Sequence, residues 1–112
     1  MSVTKPSEDT LENILMIPGV TGFTLTNELG ELLHSTIDVM DMNEFIAFLA
    51  GMIPAISDAA QLGSIQRAIL KSPQTGNLLV VSGDDLSLGV TTGSRSRMQE
   101  INGQINTILH WN

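Results

Sequence analysis

The chain has 112 residues, enough for one domain and too few for two with separate cores. Hydrophobic residues make up 42% and charged residues 15%, the balance of a folding chain, and the lack of cysteine excludes disulfides, thiolate metal sites and a cysteine nucleophile. Twelve acids against five bases give a net charge of −7, which with only 4% aromatic residues and no tyrosine argues against nucleic acid as a partner.

Residues 1–6 read as a polar tail, and 7–112 as a single domain. Ser7 is an N-cap, with Glu8 and Asp9 in the first turn where the helix dipole favours anions. Leu11, Ile14 and Leu15 have helical spacing, and Pro18-Gly19 ends this first helix after about Met16. Val20 to Thr26 is β-branched and alternating, Asn27 to Gly30 is a turn, and Glu31 to Thr36 is the returning strand of a hairpin. Asp41 and Glu44 have the form of a capping box, and a long apolar-rich helix follows to Leu62, with Gly63 as its stop and Pro54 as a kink.

A third strand runs from Ser64 to Leu70, with Ile65, Arg67 and Ile69 alternating against Gln66, Ala68 and Leu70. Lys71 to Gly76 is a turn. Leu78 to Val81 is apolar at every position, so it reads as a central strand covered on both faces. Gly83-Asp84-Asp85 turns the chain into a last strand, with Leu86, Leu88 and Val90 on one face and Ser87 and Gly89 on the other. Ser94 or Ser96 caps the final helix, whose stripe is Met98, Ile101, Ile105, Ile108 and Leu109. The order α-β-β-α-β-β-β-α, with short turns between strands, predicts an α/β (α+β) three-layer sandwich around an antiparallel sheet.

Motifs of chemistry are sparse. Gly89 to Ser94 superficially resembles a glycine-rich phosphate loop but lacks its lysine and spacing, so it reads as a strand-to-helix turn. Asp84-Asp85 reads as a solvated turn, and His34 and His110 have no spaced partner. No catalytic residue, cofactor or metal is expected, and the chain reads as non-enzymatic. No apolar run reaches the roughly 18 residues of a span. MSVTKPSEDT lacks the apolar core of a signal peptide, so no membrane insertion and a cytoplasmic location are expected.

The long helix carries the informative signal. Phe45, Leu49, Met52, Ile56 and Ala59 form one stripe, and Phe48, Ile46, Ile53 and Ala60 widen it beyond what covering a sheet requires. The third strand has no proline and only Arg67 to discourage edge pairing. Together these features point to a two-fold dimer through Phe45, Phe48, Leu49, Met52, Ile53, Ile56, Ile65, Arg67 and Ile69. No Lys or Arg occurs between Lys5 and Arg67, a stretch holding nine acids. The acidic half is then an outward face complementary to a basic partner patch, with Arg67 on the dimer edge within reach of acids on its own or the partner copy's long helix.

Ile17-Pro18-Gly19-Val20-Thr21-Gly22 is similar to the opening signature of the Roadblock/light-chain-7 family. Gly30-Glu31-Leu32-Leu33 with Ser35, the long helix ending at Gly63, and Gly76-Asn77-Leu78-Leu79-Val80 also resemble that family, over roughly residues 8–110. The resemblance implies a profilin-like Roadblock fold: a five-stranded antiparallel sheet with the long helix on one face and the terminal helices on the other. It also implies a homodimer or heterodimer through the third strand and second helix. Family members include dynein light chains, scaffold subunits for small Ras-like GTPases and bacterial regulators of such GTPases. Lacking a eukaryote-type extension, this chain resembles the prokaryotic GTPase-partner type. The expected function is a dimeric adaptor for a small Ras-like GTPase. The alternatives are a scaffold subunit of a motility, cytoskeletal or signalling complex without a GTPase, and a small-ligand sensor using the turn around Asp84 and Gly93. Arg95 and Arg97 read as solvated helix-start residues rather than groups acting on a bound GTPase.

Overall fold

The computed structural model describes residues 5–27, 29, 31–37, 46, 66–71, 76–83 and 86–109. In chain order these form α1 (Glu8–Leu15), β1 (Val20–Asn27), β2 (Leu32–Ser35), β3 (Gln66–Leu70), β4 (Asn77–Ser82), β5 (Leu86–Thr92) and α2 (Met98–Leu109). The strands make one five-stranded sheet in the order β2-β1-β5-β4-β3, antiparallel at every pairing.

Local chemistry explains the element ends. Ser7 Oγ accepts the Thr10 N–H at 3.2 Å, which satisfies one of the free donors at the start of α1. The β1–β2 turn is held by a side chain: Asn27 Oδ1 accepts the N–H groups of Leu29 at 2.9 Å and Glu31 at 3.0 Å. Leu25 pairs with His34 and Thr26 with Leu32, so Leu33 is the extra residue of a bulge. The final helix starts later than its serine signals suggested. Ser96 N–H is used in a turn to the Gly93 carbonyl at 3.1 Å, and Arg97 immediately precedes the first helical residue.

The alternation of side chains divides the interior in two. Phe23, Leu25, Leu79, Val81, Leu88 and Val90 face α1 and α2, where they meet Leu11, Ile14, Met98, Ile101 and Ile105. On the opposite face, Leu78 and Val80 pack with Ile46. Strand β4 is therefore buried at every position, as its unbroken apolar run implies.

Ile46 is helical and 0% exposed. It places the start of the long predicted helix on the face away from α1 and α2; the rest of that helix lies outside the described residues. The sheet makes room for it at Gly89, where an added Cβ would lie 2.5 Å from Ile46 Cγ2. Gly89→Ala should destabilise by about 1–3 kcal/mol through overpacking. The additional change Ile46→Ala should then cost less than Ile46→Ala does alone, as denaturant titrations of the double-mutant cycle would show. Gly103 offers the reverse case. It is exposed in mid-α2, and an added Cβ meets nothing within 4 Å. Gly103→Ala should stabilise by about 0.5–1 kcal/mol, a rise in Tm of about 2–8 °C by thermal melting.

Candidate functional site

Strand β3 is an edge. It pairs with β4 from Gln66↔Ser82 to Leu70↔Leu78, and no strand among the described residues lies on its other side. The register sets which way its side chains point. Arg67 and Ile69 lie opposite Val81 and Leu79, on the α2 face; Ala68 and Leu70 lie opposite Val80 and Leu78, on the Ile46 face. Ile69 is 39% and Leu70 41% exposed, and Lys71 beyond them is exposed. The strand thus offers water an apolar residue from each face, along an edge with no proline or bulge to blunt it.

Of the residues assigned to the interface from sequence, Phe45, Phe48, Leu49, Met52, Ile53, Ile56 and Ile65 lie outside the described residues. Arg67 and Ile69 share one face of β3, as their alternation implies. The Arg67 guanidinium turns toward α2, where Nη2 donates to Asn106 Oδ1. Its Nε is buried with no partner among the described residues, and burial pushes its pKa below the usual arginine value. Alternation aims Arg67 at α2 and not at the Ile46 face, and the acids expected near it, on its own or the partner copy's long helix, lie outside the described residues. Leu70 lies on the other face of β3 from Arg67 and Ile69, so alternation alone does not join it to them. Its signal was the edge position, where both faces of a strand meet solvent.

The remaining motifs resolve simply. The glycine-rich stretch is strand β5 up to Thr92, with Gly89 buried beneath Ile46 and its backbone paired with β1 and β4 on either side. Gly83 N–H donates to the Leu86 carbonyl at 2.8 Å and closes the turn there, whereas Asp84, Asp85 and His110 lie outside the described residues. His34 is exposed on β2. Arg95 and Arg97 are exposed before α2, and Arg97 meets Glu100 at 3.4 Å in an ion pair open to water. Among the described residues no cluster of His, Asp or Glu could hold a metal ion, and no helix is long and apolar enough to cross a membrane.

No family model and no curated protein matches the chain. Solved structures do. A Roadblock/LC7 domain from Streptomyces avermitilis superposes with a TM-score of 0.72 at 14% identity, covering 95% of this chain and 93% of that one. MglB from Myxococcus xanthus gives 0.74 at 12% identity, covering 91% and 87%. An MglB in a tetrameric arrangement gives 0.66 at 13% identity, covering 97% and 96%. The chain therefore has the Roadblock/LC7 fold, the one its sequence motifs resemble.

Proposed function

We propose that the chain is a non-enzymatic, dimeric adaptor that binds a small Ras-like GTPase and regulates it through its dimer surface. The observation that carries this reading is the β3 edge, with Ile69 and Leu70 exposed on a strand that ends the sheet. Two copies pairing edge to edge would continue the sheet and remove that edge from water. The pairing would also set two long helices side by side. Phe45, Phe48, Leu49, Met52, Ile53, Ile56 and Ile65 would join Arg67 and Ile69 in the interface. The Roadblock/LC7 fold supports the GTPase, since the family resemblance implies such partners, and the tetrameric arrangement of one MglB shows that this fold self-associates there.

A pull-down with small Ras-like GTPases loaded with GDP or a GTP analogue tests the reading. One nucleotide state should be retained over the other, and retention should weaken as salt rises, because the chain carries −7. Retention of a motility or cytoskeletal complex without any GTPase would support the scaffold reading instead, and retention of neither nucleotide state would end the GTPase proposal.

A further inference from the structure

Helix α1 does not close completely over the hairpin beneath it. Between α1 and strands β1 and β2 lies a cavity of about 350 Å³, within the usual size range of small-ligand sites. Its floor is apolar: Leu11 is 5% and Phe23 1% exposed. One wall is the His34 ring, centred 5.4 Å from the Phe23 ring and tilted by 34°. Its other lining includes two carboxylates, Glu8 and Glu12, one helical turn apart on α1 and both exposed. Among the described residues neither carboxylate has a cationic partner. The sequence has no Lys or Arg from residue 6 to residue 66 to supply one locally.

An apolar floor, aromatic wall and doubled negative charge together select a particular chemistry. We infer that this cavity receives an arginine side chain from an extended segment of a partner protein running beside β2. The methylene stem would lie along the partly exposed Leu15, over the floor that Leu11 and Phe23 close, as such stems do on apolar surface. The planar guanidinium would stack beside His34 and fork toward Glu8 and Glu12. Charge complementarity favours this occupant over an anionic lipid or nucleotide, which the same carboxylates repel. The strip beside the cavity fits an extended segment. Leu32 is 52% and Leu33 39% exposed on β2, which ends the sheet on the side opposite β3. The site lies at the far edge from the proposed dimer contact, so both can be occupied together, and its failure would leave the GTPase reading intact.

The test titrates the isotopically labelled full chain with an acetylated, amidated pentapeptide, Val-Thr-Arg-Thr-Val, followed by backbone amide shifts. Leu11, Phe23 and His34 should move together. Replacing the peptide's arginine by neutral citrulline should weaken binding about tenfold, as should the double change Glu8→Gln and Glu12→Gln. Arg97→Gln, beyond the cavity before α2, should leave it unchanged. No cavity shift at millimolar peptide, or equal affinity for the citrulline peptide, would overturn the proposal. So would the same shifts appearing on raising protein concentration alone, since a second copy would then be the occupant.

Discussion

Replacing Ile69 and Leu70 together by Asp should convert the chain from dimer to monomer. Sedimentation should show the dimer constant weakened at least about 100-fold, or about 2.7 kcal/mol. Both side chains are substantially exposed in one copy, at 39% and 41%, so neither holds the protomer's own core together. In an edge-to-edge dimer they would be covered. Carboxylates from the two copies would then be brought close together about the axis, on each face of the sheet, adding like-charge repulsion to lost apolar contact. The monomer should keep its fold, since β3 remains paired to β4 along its inner side. Near-wild-type dimerisation by the variant would show that the edge is not the contact.

Gly76→Ala should be the most destabilising single change of small size in the described fold, at about 3–4 kcal/mol in denaturant unfolding. Gly76 has φ +96°, a region costly for any residue with a Cβ. Space is also missing: the added Cβ would lie 2.3 Å from the Thr92 carbonyl oxygen. That oxygen belongs to the backbone at the end of β5 and cannot rotate away as a side chain can. Relief would require moving the start of β4 off β5, where Asn77 pairs with Thr92. The Asn77 side chain ties the same corner to the carbonyls of Gly93 and Ser94 at 3.4 Å each. A cost below about 1 kcal/mol would mean that the corner is soft. The contrast with Gly103→Ala, expected to stabilise, separates a glycine required by geometry from one tolerated in a helix.

What the sequence made legible was local, and what it hid was long-range. Ser7, Leu11, Ile14 and the Asn27 turn carry their reasons within four residues of themselves, and the structure uses each as expected. Leu78 to Val81 announced its central place because apolar side chains on both faces need cover on both faces. The strand order is different in kind. That β1 pairs with β5 from Val20↔Thr92 to Asn27↔Leu86 depends on residues about 60–70 apart, which no window of sequence contains. Arg67 shows the limit within one residue. Alternation tells that it shares a face with Ile69, but only the stacking of layers tells that the face belongs to α2 and Asn106. The cavity under α1 was invisible for the same reason. Glu8 and Glu12 are a solvated pair on a helix until the fold brings Phe23 and His34 beneath them. Ser96 stands one residue before the observed cap position, because a capping signature is a local preference and the first helical hydrogen bond runs from Ile101 N–H to the Arg97 carbonyl. Its own N–H closes the turn to Gly93 ahead of the helix.

Contact between two copies along β3 can be tested directly, because the chain has no cysteine of its own. Single cysteines can be placed in turn at each position from Gln66 to Leu70, with a control at Leu33 on the opposite edge, and each variant oxidised at micromolar concentration. Antiparallel neighbours across a two-fold axis lie about 4.5–5.5 Å apart at Cα, within the range a disulfide spans. At least one β3 position should give a covalent dimer in high yield, and Leu33→Cys should not. Cross-linking from Leu33→Cys with none along β3 would contradict the account.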